Sequence, residues 1–133
     1  MTKSKTKQDF SSDLAKDKNN GRAKHGSGHW MAQRVTAVAL IPLFIWFIYS
    51  VLPSVGASHG ECTTWLAQPI NAIITILFVI STFYHAVLGA QVITEDYIHG
   101  ECFKTIKIVG QKLFFFAFGI ACIFSILKIA FGG

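Results

Sequence analysis

The chain has 133 residues, 52% of them hydrophobic and only 14% charged, with a net charge of +5. Twelve phenylalanines and long charge-free stretches exclude an ordinary water-soluble domain and place it among membrane proteins. The positive charge is read as membrane orientation rather than nucleic-acid binding, because eight of the twelve basic residues fall within residues 1–34, the bias that orients a membrane protein.

Residues 1–28 are polar, and only Phe10 and Leu14 are large and apolar. Such a segment cannot bury enough surface to offset its own ordering entropy, so it is expected to be a flexible cytoplasmic tail. It is a poor signal peptide, since no apolar stretch starts within it, and Asp9, Asp13 and Asp17 argue against a mitochondrial transit peptide. Residues 29–133 are expected to form an all-α transmembrane anchor. Its first span covers about 30–52 and contains Pro42, which a membrane helix tolerates when neighbours satisfy the freed carbonyl. Pro53, Gly56, Ser58 and Gly60 then mark a loop.

The second span is expected over about 65–94, with Pro69 in its first turn and Glu95-Asp96 ending the apolar part. Not one Lys, Arg, Asp or Glu occurs from Cys62 to Thr94. The third span covers about 106–131, where Lys112 and Lys128 bracket a charge-free core of 15 residues. That is shorter than the roughly twenty residues a bilayer needs, but lysine stems can snorkel from either side. Gly110, Ala117, Gly119 and Ala121 supply small surfaces for close helix packing.

Orientation is set by the loops. The tail is rich in Lys and Arg, the loop from Pro53 to Leu66 has none, and the loop from Thr94 to Lys112 has Lys104, Lys107 and Lys112. Three helices with a cytoplasmic N-terminus are expected, with Trp30, Trp46, Tyr49 and Trp65 near the interfaces.

His85 is the most informative residue. An ionisable group at membrane depth marks a candidate functional site. Eleven residues, about 16 Å of helix, separate it from Asp96, and the helical repeat puts His85, Gly89, Val92 and Asp96 on one stripe. The low dielectric keeps the imidazole neutral, the form in which it ligates haem iron. A porphyrin would lie against the helix flank, where Gly89 one turn away leaves room. Hydrogen-bonded packing between helices and a proton relay are the other readings of His85. His25, His29, His59 and His99 fall in the tail or loops, where a solvated role is the default.

Arg34, at the start of the first span, is either a topology-setting charge or a bidentate partner for an anionic group such as a haem propionate. Asp96 and Tyr97 are either a polar helix end or the rim of a site for a lipid-soluble molecule with polar oxygens, such as a quinone. Cys62, Cys102 and Cys122 lie in three different segments without metal-binding or disulfide spacing. No hydrolase or nucleotide-binding motif occurs.

The run His85-Ala86-Val87-Leu88-Gly89-Ala90-Gln91-Val92-Ile93-Thr94-Glu95-Asp96-Tyr97 resembles the second helix of the smaller, D-type hydrophobic anchor subunits of succinate dehydrogenase. Gln33-Arg34-Val35-Thr36-Ala37-Val38-Ala39-Leu40-Ile41-Pro42-Leu43 is similar to the first helix of the alphaproteobacterial branch. The resemblance covers nearly everything after the tail, which is longer than in some relatives. It implies a multi-pass subunit of the bacterial inner membrane, not catalytic by itself. Such a subunit pairs with a second cytochrome b anchor and with iron–sulfur and flavoprotein subunits.

The resemblance also implies a shared b-type haem and a ubiquinone site. Residue by residue, His85 matches the axial ligand and Arg34 an arginine near the propionates. Tyr97 matches the tyrosine on the quinone carbonyl, and Asp96 the acid beside it. The second axial histidine would come from the partner anchor. An anchor of a fumarate reductase and a cofactor-free membrane adaptor are the alternatives.

Overall fold

A charge-free run buried in lipid must satisfy its own backbone, and here it does so as helix throughout. The computed structural model describes the backbone of residues 7–132 and the side chains of residues 27–132; among them there is no strand. The elements are α1 (Lys7–Val51), a single 3-10 turn (Leu52–Ser54), α2 (His59–Ala67), α3 (Pro69–Tyr97) and α4 (Glu101–Ala130). The chain divides into two units, residues 1–32 and 33–133. The first consists of the polar segment and the part of α1 it contains; Phe10 and Leu14 lie outside the described side chains. The second holds the rest of α1 together with α2, α3 and α4.

Among the described residues three stretches are long and apolar enough to cross a membrane: Ser27–Ser54, Pro69–Tyr97 and Glu101–Ala130, of 28, 29 and 30 residues. At about 1.5 Å per residue each exceeds the roughly 30 Å hydrocarbon layer, so helix ends project or the helices tilt. Pro42 sits inside α1 without ending it.

The second span starts at Pro69 rather than near Trp65. Proline disfavours α conformation in the residue before it, and Gln68 is extended with ψ of 126°. Trp65 therefore belongs to a separate nine-residue helix, α2. A capping box starts α2. The Ser58 N–H and hydroxyl donate to Glu61 Oε2 at 2.7 and 2.9 Å, and the Glu61 N–H donates to Ser58 Oγ at 3.3 Å. The two bonds that Ser58 gives to the carboxylate, its N–H first and then its hydroxyl, hold the Glu61 carboxyl below the usual carboxylate range. The preceding turn needs Gly56, whose φ is +89°. The amide of Asn71 donates to the Trp65 carbonyl at 2.9 Å, tying α2 to the first turn of α3.

The closest helix pair is α3 with α4. Gly119 lets the Phe83 ring lie against the α4 backbone, where an added Cβ would be 3.7 Å from it. Gly110, Ala117 and Ala121 remain exposed, so within this chain the small-residue surface is used only at Gly119. Nearer the α3–α4 turn, Thr94 is 3% exposed, its hydroxyl 2.8 Å from the Ala90 carbonyl and 3.0 Å from the Gln111 side-chain oxygen. One hydroxyl proton cannot serve both acceptors. Turning the Gln111 amide over places Nε2, otherwise buried without a partner, against the Thr94 oxygen and satisfies both groups.

Helix α1 reaches the others through long side chains. Phe47 stacks on Phe78 at 4.6 Å between centroids, and Trp46 stacks on Trp65 at 5.8 Å. The core is correspondingly small. Ala72, Leu88 and Ile126 are its only buried hydrophobic residues among those described.

Candidate functional site

His85 lies sixteen residues into α3, half-buried, on the flank that meets α1. Its Nδ1 is 3.0 Å from Thr36 Oγ1 of α1, and the Thr36 hydroxyl donates to the Gln33 carbonyl one turn earlier at 3.0 Å. This back-bond is the usual local use of a helical threonine. It also presents the hydroxyl oxygen to the neighbouring helix at the depth of His85. The imidazole is thus held at one nitrogen, and among the described residues Nε2 makes no hydrogen bond.

Gly89 shares the His85 stripe and is half-buried, and an added Cβ there would meet nothing within 4 Å. Packing inside the chain does not call for glycine, so its flank is open toward whatever adjoins the helix from outside. Arg34 stands two residues before Thr36 and is exposed. The structure thereby brings Thr36 of α1 to His85 and its neighbour Gly89, two of the three expected from the sequence; Arg34, about 200° round α1 from Thr36, is not brought to them.

Asp96 and Tyr97 are set apart at the last turn of α3, about 16 Å along the axis from His85. Tyr97 is 79% exposed, and among the described residues neither its phenol nor the Asp96 carboxylate makes a hydrogen bond. Neighbouring Glu95 instead receives the Gln91 amide at 2.9 Å, while its carbonyl receives Lys104 Nζ at 3.4 Å. The polar groups at this end therefore separate into a satisfied pair, Gln91 and Glu95, and a free pair, Asp96 and Tyr97.

No three His, Cys, Asp or Glu side chains converge among the described residues. The chemistry of a single imidazole beside a side-chain-free flank fits a haem, which His85 would hold through one nitrogen. A separate apolar cavity of about 510 Å³ lies between α3 and α4, lined by Phe83, Val87, Phe115, Phe116 and Gly119. Phe83 and Val87 are two residues either side of His85, on the opposite flank of α3, so the cavity is not part of this site.

Two features go beyond the roles read from the sequence. Thr36 is one hydroxyl in an apolar run, and its partner is known only once α3 is placed against α1. Ser58-His59-Gly60-Glu61 carries a capping-box pattern that marks the start of α2.

The sequence model of the family described as "Succinate dehydrogenase/Fumarate reductase transmembrane subunit" matches residues 8–127. The "Succinate dehydrogenase hydrophobic membrane anchor subunit" of Rickettsia bellii (strain RML369-C) is 40% identical over 106 residues, covering 80% of this chain and 85% of the relative. The protein of the same name from Paracoccus denitrificans is 30% identical over 112 residues, 84% of this chain and 86% of the relative. The "Succinate dehydrogenase membrane anchor subunit" of Reclinomonas americana is 30% identical over 90 residues, 65% of this chain and 75% of the relative. No solved structure matches the chain.

Proposed function

Because the chain belongs to the family of succinate dehydrogenase/fumarate reductase transmembrane subunits, we propose that it serves as the membrane anchor of a succinate:quinone oxidoreductase, with His85 as an axial ligand of a b-type haem and Tyr97 and Asp96 in the quinone site. Its location in the bacterial inner membrane fits three helices long enough to span it. The N-terminal segment and the α3–α4 turn are cytoplasmic, as the Lys and Arg bias requires. Oxidation of succinate takes place on a flavoprotein subunit, and an iron–sulfur subunit passes electrons to the membrane. A second anchor subunit completes the haem site. This chain holds and positions.

One observation carries the reading: His85 is fixed at Nδ1 by Thr36, with Nε2 left over beside the open flank at Gly89. Bound haem supplies a one-electron store within the membrane. Arg34, exposed at the start of the first span, provides a guanidinium for its propionates. At the cytoplasmic end, the Tyr97 phenol donates a hydrogen bond to a quinone carbonyl. That bond strengthens as negative charge builds on the oxygen during reduction, which favours the reduced product over the bound quinone. Asp96 places a negative charge and a proton-accepting group beside that oxygen.

The test is the reduced-minus-oxidised spectrum of the purified complex. His85→Ala loses the b-type haem signal, and Gly89→Leu disturbs it by filling the flank. Full haem content in His85→Ala overturns the assignment and leaves the cofactor-free adaptor. The family description covers fumarate reductase as well as succinate dehydrogenase, and the direction of flux is settled by comparing succinate–quinone and quinol–fumarate rates in the same preparation.

A further inference from the structure

We propose that Thr36 is a positioning residue that selects the tautomer of His85. The inference rests on the haem reading above. Its physical basis is the hydrogen-bond chain His85 Nδ1–Thr36 Oγ1–Gln33 carbonyl, with both steps 3.0 Å.

A neutral imidazole carries one proton and a threonine hydroxyl carries one. The Thr36 proton points to the Gln33 carbonyl, which can only accept. The hydroxyl oxygen can then meet Nδ1 only as an acceptor, so the imidazole proton resides on Nδ1. Nε2 is left with its lone pair. The reverse arrangement, with the hydroxyl donating to Nδ1, would put the proton on Nε2. That would leave an N–H without a partner at membrane depth, where an unsatisfied donor is costly. The chain therefore has one orientation in which every donor is used and the free lone pair is the one a metal would take.

Thr36 thereby acts on His85 in two ways. It fixes the ring rotation, because Nδ1 is tied to a helix that does not carry the ligand. It also draws on the Nδ1 proton, which raises the electron density Nε2 offers to iron and favours the more highly charged ferric state. Thr36 touches neither iron nor quinone, so its effect is carried by His85 alone.

The experiment compares the intact complex carrying Thr36→Val, which keeps the shape and removes the hydroxyl, with Thr36→Ser, which keeps the hydroxyl. Thr36→Ala serves as a second hydroxyl-free variant should Val prevent assembly. Assembly is followed by succinate oxidation with a water-soluble acceptor. The readouts are haem per complex and the midpoint potential of the haem, measured by redox titration of the absorption spectrum. In the hydroxyl-free variants the haem is lost about tenfold faster on dilution into detergent, the low end for removing a group that orients a metal ligand. The midpoint potential of what remains is higher, and Ser restores both. A hydroxyl-free variant with unchanged haem retention and potential overturns the proposal, as does a Ser variant that behaves like Val. If those results are obtained while His85→Ala still loses the haem, Thr36 alone is misassigned. A complex that never contains haem overturns both readings.

Discussion

Removing the Thr94 hydroxyl should cost more than removing its partner, Gln111. In Thr94→Val the buried Gln111 amide loses the one group placed to satisfy it, because its Nε2 has no other partner. In Gln111→Leu the Thr94 hydroxyl still donates to the Ala90 carbonyl at 2.8 Å and nothing polar is stranded. Leaving a buried polar group unsatisfied costs about 1–3 kcal/mol. Interhelical hydrogen bonds within membranes average only about 0.6 kcal/mol and reach about 1.7. The lower scale applies here, so Thr94→Val should cost about 0.6–1.7 kcal/mol and Gln111→Leu less than about 0.5. The double variant should be no worse than Thr94→Val alone, since it removes the stranded amide. Thermal dissociation of the purified complex in detergent, followed by size-exclusion chromatography, gives the rank order. If Gln111→Leu is the more damaging single change, or the double variant is worse than both, the hydrogen-bond assignment between α3 and α4 is wrong.

Tyr97→Phe keeps the ring and removes the phenolic donor: assembly and haem content should stay normal while electron transfer to quinone falls by at least about tenfold, and an unmodified rate would return Tyr97 to helix-end packing. A reporter fused after Gly133 should read as outside the cytoplasm; a cytoplasmic reading would reverse the depth ordering of His85 and Tyr97. At α2 the sign is set by the depressed Glu61 carboxyl: its contribution is present above the ordinary carboxylate range and lost as pH falls through the lower folded value. Amide exchange in α2 should therefore quicken at acid pH in the native complex, with Glu61→Gln showing a flatter profile; identical profiles would exclude Glu61 as the cause.

Most of the architecture could be read from charge alone. Membrane helices satisfy their backbones internally, so the charge-free run before Glu95 had no alternative to α3, and the placement of Lys and Arg sets the orientation expected of it. The start of α3 was harder, because Trp65 and Ile70 look equally apolar; what separates them is backbone geometry at Gln68-Pro69. His85 and Gly89 stand out in the sequence through depth and spacing. Thr36 does not, since a threonine in an apolar run is ordinary until the helix opposite it is known. Asp96 and Glu95 are chemically alike and adjacent, and only the fold shows that Gln91 engages the second and leaves the first unengaged.

The thinness of the core changes how substitutions on this chain should be interpreted. In a water-soluble protein an exposed position tolerates polar replacement, so accessibility serves as a map of mutational freedom. Here Phe118, 52% exposed near the middle of α4, and Val55, 77% exposed in the turn before α2, look equally permissive on such a map. They are not. Lysine at Phe118 would place a charge near the bilayer centre, at a penalty of about 2.5–3.5 kcal/mol on insertion scales. The same change at Val55 meets water. For this protein the coordinate that predicts tolerance is height along the membrane normal, and two variants with the same accessibility can differ as much as a core and a surface mutation do elsewhere.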